Sequence, residues 1–169
     1  MIYKTYYTSP IGELTLASNG ESLVGLWLPG QKYFQAGFTE MTRDDSIPIF
    51  SKAFGWLKRY FAGDKPHPDE LTLSPQGSDF RRDVWDALLT IPYGQVTTYG
   101  NIGALLDRPK MSARAIGGAV GHNPISIIIP CHRVIGANNK LTGYAGGIDN
   151  KIWLLHHEGL QIDGDKIIR

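Results

Sequence analysis

The 169-residue chain predicts an α/β N-terminal domain joined to a mainly helical C-terminal domain carrying a helix-turn-helix skeleton. Three features point there. β-type alternation with turn signals fills the first thirty residues, a Pro-rich stretch at 65–77 interrupts the chain, and helical spacing behind Ser or Thr caps dominates residues 78–160. The domains are accordingly drawn at 1–77, linker included, and 78–169.

Ile2–Tyr7 and Ile11–Ala17 alternate and are rich in Tyr, Thr, Ile and Leu, with Ser9-Pro10-Ile11-Gly12 as the turn between them. Asn19-Gly20 signals a second turn, and Leu23–Leu28 a third strand stopped by Pro29-Gly30. Gln31–Pro48 has weak periodicity and is assigned to loop with at most a short helix. Phe50, Ala53, Phe54, Leu57 and Phe61 recur at three- and four-residue spacing, which makes Ile49–Ala62 an amphipathic helix closed by Gly63. Lys65–Gly77, with Pro66, Pro68 and Pro75, reads as a linker.

Beyond it, Ser78 or Asp79 caps a helix running to Ile91-Pro92, and Thr97 or Thr98 caps a short helix over Tyr99–Leu106 that ends before Pro109. Ser112 caps another from Ala113 to about Val120. Two short helices around a turn form the helix-turn-helix, the second being the recognition element, although plain packing pairs of this size are also common. Ile125–Ile129, rich in β-branched residues, reads as a buried strand that delivers Pro130-Cys131-His132-Arg133. The last elements are a Gly143–Gly147 loop, a helix from Asp149 or Asn150 to Glu158-Gly159, and a β-turn-β tail over Leu160–Ile168.

Composition narrows the function classes. Seventeen Lys and Arg against sixteen Asp and Glu exclude a polybasic coat, yet no carboxylate occurs from Arg108 to Ile148, where five basic residues lie. That segment is either a local patch for an anionic partner such as a phosphate backbone or a solvated charge run. No apolar stretch reaches spanning length, and Met1–Thr8 lacks the apolar core of a signal peptide, so a soluble cytoplasmic protein is expected. A single cysteine, Cys131, rules out an internal disulfide and any multi-cysteine zinc site, and no metal site is expected.

The helix at 113–120 is unusual. Ala113, Ala115, Gly117, Gly118 and Ala119 leave Arg114 as its one long side chain, and each glycine costs about 1 kcal/mol relative to alanine. A nearly bare helix suits the approach of a groove floor or phosphate backbone; tight helix-on-helix packing is the competing explanation. For Cys131 the alternatives are an inert packing thiol and a nucleophile. An ordinary thiol, with a pKa of about 8.5, needs a base or a positive field. His132 and Arg133 adjoin it, but neighbours on a strand point apart, so Cys131–His132 cooperation requires a turn at Pro130 or a bridging water. Glu158, with Asp149 behind it, is the carboxylate expected to orient the imidazole. His67, His156 and His157 carry weaker signals.

Ile129-Pro130-Cys131-His132-Arg133-Val134 resembles the active-site signature of the O6-alkylguanine-DNA alkyltransferases, the methylated-DNA–protein-cysteine methyltransferases. Pro92-Tyr93-Gly94-Gln95-Val96-Thr97-Thr98-Tyr99, Ala113–Ala119, Asn123-Pro124 and Trp153–Gly159 fall in the family's order and spacing, so that residues 78–160 are covered closely. The resemblance implies a ribonuclease-H-like N-terminal domain and a winged helix-turn-helix that binds the minor groove of double-stranded DNA and rotates an alkylated base out of the stack. It implies Arg114 as the finger filling the gap, with Ala113, Ala115, Gly117 and Gly118 along the DNA. Tyr99 would donate toward guanine N3, and Asn123 would hold the turn before the active-site segment. The Cys131 and Val134 carbonyls, the Ala145 N–H, Tyr144 and Gly146 would line the base pocket. Glu158, His132 and a water would draw the proton from Cys131, which takes the alkyl group once and irreversibly, without a cofactor or an obligate protein partner. O4-methylthymine would be a second substrate. Ala145 stands where some members have serine, the zinc site of some relatives is impossible here, and the retained Cys131 separates this chain from non-catalytic relatives. A DNA-binding module with a structural cysteine, or a Cys-His hydrolase, are the readings set against this one.

Overall fold

The structure, a computed structural model, describes residues 1–108 and 110–168. It divides into two compact units: Met1–Gln76 with Pro124–Ser126, and Gly77–Asn123 with Ile127–Arg169.

In the first unit β1 (Tyr3–Ser9), β2 (Gly12–Ser18) and β3 (Leu23–Trp27) form an antiparallel meander. The two-residue β4 (Thr42–Arg43), which sequence alternation does not reveal, pairs in parallel with β1, giving the order β3-β2-β1-β4. Ser9 pairs with Gly12, leaving Pro10-Ile11 as the turn; Gly12 has φ 108°, a conformation costly for any residue with a Cβ. Every residue of β3 is buried. At Gly25 within it a Cβ would lie 2.1 Å from the Trp27 ring, so glycine there makes room for the indole. The helix α1 (Pro48–Phe61) opens with proline in its first turn and buries Phe50, Trp56, Leu57 and Tyr60 against β1 and β2.

The Pro-rich stretch is not a free linker. Trp56 Nε1–H donates to the His67 carbonyl at 2.9 Å, and Leu23 exchanges backbone bonds of 2.9 Å with Thr72 and Ser74. Residues 124–126 join the same unit: Leu26 N–H donates to Pro124 O at 2.8 Å, Ser126 N–H to Leu26 O at 2.9 Å, and the Ser126 hydroxyl to buried Gln31 at 2.9 Å.

The second unit holds α2 (Asp79–Leu88), α3 (Tyr99–Leu105), α4 (Ala113–Gly121), α5 (Ile148–His157) and a terminal hairpin of β7 (Gln161–Asp163) and β8 (Lys166–Ile168). Ser78, Thr98 and Ser112 are the N-caps of the first three helices, each accepting from the amide three residues on. Pro109, the expected stop after α3, lies outside the described residues. α5 begins one residue before Asp149, capped by Gly147 at φ 96° rather than by an Asp or Asn side chain. Two short strands unforeseen in the sequence, β5 (Thr97–Thr98) and β6 (Val134–Ile135), pair in parallel and set the start of α3 beside the segment after Cys131.

The expected strand at 125–129 does not form. Ile125 makes an isolated bridge, residues 126–128 turn, and Ile127 adopts φ 71°. A run of buried β-branched residues has the same composition whether it extends or turns. What bends it is local: Asn123 Nδ2 donates to the Ile129 carbonyl at 2.8 Å across the turn, holding a branched residue in the left-handed region.

The bare face of α4 is not consumed by packing. Trp85 Nε1–H donates to Ala119 O at 2.8 Å, fixing α2 against one side. A Cβ on Gly117 would meet the Tyr99 ring at 3.6 Å, an ordinary contact, and one on Gly118 would meet nothing within 4 Å. Gly118 instead lines an open groove with Phe80, Arg81, Ser112, Arg114 and Ala115. Gly118→Ala should therefore stabilise the protein by about 1 kcal/mol, measured by urea denaturation, because helix propensity rises with no clash. A loss of stability would mean that the fold itself requires this glycine.

Candidate active site

The turn at 129–134 is built in two steps. Cys131 N–H donates to Ile129 O at 2.8 Å around Pro130, whose φ −83° and ψ 64° make an inverse γ-turn. A 3-10 turn over Cys131–Arg133 comes next, with Arg133 N–H on Pro130 O at 3.0 Å. The turn needed to bring Cys131 and His132 to one side is thus present. Cys131 is not at the surface, where a strand end would have left it; it is only 5% exposed, and His132 is fully buried.

Glu158, the C-cap of α5, receives four hydrogen bonds. Its Oε1 accepts from Arg133 Nε at 2.8 Å and from the Gly94 amide at 3.0 Å; its Oε2 accepts from His132 Nε2 at 2.6 Å and Arg133 Nη2 at 3.1 Å. Arg133 also donates to Ile91 O at 2.6 Å. Burial alone would push the Glu158 pKa up, but His132 and Arg133 outweigh it and hold the carboxyl well below the usual range. Burial pushes the His132 pKa down, against the pull of Glu158, so the imidazole is neutral. An ionised carboxylate only accepts, so the single imidazole proton sits on Nε2, and Nδ1 is a bare acceptor. That Nδ1 is buried and bonded to no group among the described residues.

Burial likewise raises the Cys131 thiol pKa, opposed by the nearby polar side chains of Asn123 and Tyr144 and by the charge of Lys151. Lys151 is itself 1% exposed, and its ammonium donates to the Val134 carbonyl at 2.6 Å and to the Thr142 carbonyl and hydroxyl at 3.3 Å each. The Thr142 hydroxyl lies 2.7 Å from the Tyr99 hydroxyl.

His132 and Glu158 are therefore in direct contact beside Cys131, Asn123 holds the turn before it, and Tyr99 connects to the segment after it through Thr142 and Lys151. The Cys131 and Val134 carbonyls each already hold one donor, the Val134 amide and Lys151 respectively, leaving a second lone pair on each. Ala145 is partly buried in the loop before α5, and the Gly146 carbonyl accepts from Asn150 Nδ2 at 2.8 Å. Ala113 and Arg114 are exposed at the start of α4 and Ala115 is partly so. Asp149 is exposed in the first turn of α5, and Glu158 alone of the two candidate carboxylates bonds His132. His157 stacks on Trp153 at 5.0 Å between centroids, a packing pair.

Lys151 and Thr142 are site residues that sequence reasoning misses, and Arg133, expected as a positive neighbour of Cys131, instead binds Glu158. Lys151 carries a signal: it shares the helical face of Leu154, Leu155 and Glu158, three, four and seven residues on, so its ammonium has to be buried with partners. Among the described residues no group of three or more His, Cys, Asp or Glu is placed to hold a metal ion, and no helix is long and apolar enough to cross a membrane.

The pH dependence of stability derives from the two depressed pKa values. Stability contributed by neutral His132 is present above its unfolded pKa of about 6.5 and declines as the pH falls below it; that from Glu158 is present above about 4.3 and declines below. Urea denaturation across pH should show both declines, with the lower one flattened in Glu158→Gln. An unchanged acid limb in that variant would show the carboxylate to be unperturbed.

Comparison with known proteins gives consistent matches. The family described as 6-O-methylguanine DNA methyltransferase, ribonuclease-like domain, matches residues 2–75, and the one described as 6-O-methylguanine DNA methyltransferase, DNA binding domain, matches residues 79–160. The chain is 41% identical over 157 residues to a methylated-DNA–protein-cysteine methyltransferase of Haemophilus influenzae, covering 93% of this chain and 86% of that one. It is 47% identical over 165 residues to the protein of that name from Mycobacterium tuberculosis, covering 98% and 97%. The crystal structure of Mycobacterium tuberculosis OGT in complex with DNA superposes with a TM-score of 0.83 at 47% identity over 92% of each chain.

Proposed function

The chain belongs to the 6-O-methylguanine DNA methyltransferase family, and from that premise we propose that it repairs DNA by moving the alkyl group of an O6-alkylguanine onto its own Cys131. The observation that carries this is the buried thiol set in a turn beside a neutral imidazole whose free nitrogen faces no protein partner, while its other nitrogen is fixed by an ionised Glu158.

In this reading His132 Nδ1 takes the Cys131 proton through a water, and Glu158, held in place by Arg133, stabilises the imidazolium that results. Such a base contributes about 10²-fold to 10⁴-fold. The thiolate then attacks the alkyl carbon: the S–C bond forms, the C–O6 bond breaks, and its electron pair stays on the purine. The Tyr99 hydroxyl donates toward N3 and limits that developing charge. Asn123 holds the turn in shape, and the Tyr144–Gly146 loop with the Cys131 and Val134 carbonyls receives the base. Because a thioether is not readily cleaved, each molecule acts once. The high thiol pKa fits this use, since a buried resting thiol is protected from adventitious oxidation until a base draws its proton.

For delivery, α3 and α4 would work as the helix-turn-helix of a winged domain, with the bare face of α4 on the minor groove and Arg114 entering the stack as the lesion rotates out. The open surface at Gly118 and the exposed Arg114 support this, because packing within the protein does not explain either. O4-methylthymine would be a second substrate, and the cytoplasm the place of action.

Mass spectrometry after mixing the protein with a duplex carrying one O6-methylguanine should find one methyl mass, confined to the Cys131 peptide and stopping at one equivalent. Binding without any gain would leave a recognition protein with a packing cysteine. Arg114→Ala should slow transfer from duplex DNA by about tenfold or more, with little effect on free O6-alkylguanine base. Equal losses on both substrates would remove the finger role.

A further inference from the structure

Behind Tyr99 lies a polar chain that the Glu158–His132 pair does not touch. Lys151 Nζ stands 3.3 Å from Thr142 Oγ1, which stands 2.7 Å from Tyr99 Oη. An ammonium has three protons and no acceptor, and the three acceptors here are Val134 O, Thr142 O and Thr142 Oγ1. Thr142 Oγ1 is therefore a hydrogen-bond acceptor for Lys151, and although either hydroxyl of the Thr142–Tyr99 pair can be the donor, an oxygen already facing an ammonium favours sending its own proton to Tyr99. Once Tyr99 accepts that proton its own O–H is directed away from Thr142.

We propose that Lys151 and Thr142 are positioning residues for the transfer reaction, which aim the Tyr99 hydroxyl outward as a donor to the purine ring nitrogen N3. The proposal rests on alkyl transfer to Cys131 with Tyr99 as the N3 donor. With the base in place every bond runs the same way, from Lys151 through Thr142 and Tyr99 to the purine, and each strengthens the next in the low-dielectric interior. Burial brings the Lys151 pKa down to about 8, against the pull of Cys131, so the ammonium is still the major form at neutral pH. The backbone pairing around it keeps this polar chain in place. Tyr99 directly succeeds β5, Val134 lies in β6, and Thr97 pairs with Val134, whose carbonyl holds Lys151. One ammonium thus ties the donor at the start of α3 to the segment leaving Cys131.

The test compares single-turnover methylation of Cys131 in wild type, Thr142→Val, Thr142→Ser and Lys151→Met. Two duplexes are used, one with O6-methylguanine and one with its 3-deaza analogue, in which N3 is replaced by C–H. On O6-methylguanine, Thr142→Val should lower the rate constant by about tenfold with DNA affinity unchanged, and Thr142→Ser should restore most of it. Adding Thr142→Val to Lys151→Met should lower the rate little beyond Lys151→Met alone, because the chain to Tyr99 is already broken. On the 3-deaza duplex wild type, Thr142→Val and Thr142→Ser should react at the same reduced rate, whereas Lys151→Met should be slower because it also removes the charge facing the Cys131 thiolate. A Thr142→Val rate equal to wild type, or equal losses on both duplexes, would overturn the proposal while leaving alkyl transfer intact. A wild type that ignores the 3-deaza change would overturn it through Tyr99. A wild type that never methylates Cys131 would overturn the function itself. Lys151→Met carries a burial risk, but the near-isosteric Thr142→Val decides the matter even if that variant fails to fold.

Discussion

A carboxylate with almost no exposure and four hydrogen bonds is the fixed point of the second unit. Glu158, which closes α5, collects donors from two other stretches of chain: the turn after α2 and the segment after Cys131. A buried carboxylate without those partners would take up a proton or destabilise the fold by several kcal/mol. Arg133 meets it side-on with two nitrogens, so charge and direction are specified together. The state of the neighbouring imidazole is a consequence, since an ionised acceptor at 2.6 Å decides which nitrogen bears the proton.

The resting site is thus uncharged where the chemistry starts. Thiol and imidazole are both neutral through burial, while the permanent charges around them are matched by direct partners. Neither neutral group is reactive alone. Reactivity requires a proton to cross from one to the other, after which Glu158 faces an imidazolium and Lys151 faces a thiolate. The cationic Lys151 and the anionic Glu158, seven residues apart on α5 and its cap, then lie on the sides where each is useful.

Much of this is legible in the sequence, and for identifiable reasons. Ser78, Thr98 and Ser112 announce helices because a side-chain oxygen satisfying an orphan amide is a local event. Cys131, His132 and Glu158 can be named because nucleophile, base and orienting carboxylate must be particular residue types. What escapes is non-local. The two-residue strands β5 and β6 exist only by pairing with each other, far apart in sequence. The turn at 126–128 looks like a strand because runs of branched apolar residues report burial more faithfully than direction. Thr142 is an ordinary loop residue until a tyrosine and a lysine are placed on either side of it.

The first unit has a related non-local dependence. Its strand β3 is hydrogen-bonded on one flank to Pro124 and Ser126, and the buried Gln31 amide to the Ser126 hydroxyl. Those partners are encoded about a hundred residues after β3, beyond the whole of α2, α3 and α4. A chain made from its N-terminus can form the meander and α1 early, because their contacts are local. It cannot close that flank, or give Gln31 Oε1 its second donor beside the Leu28 amide, until Ser126 has left the ribosome. In the order of synthesis, the N-terminal unit is begun first yet completed only after the α4 helix has been made.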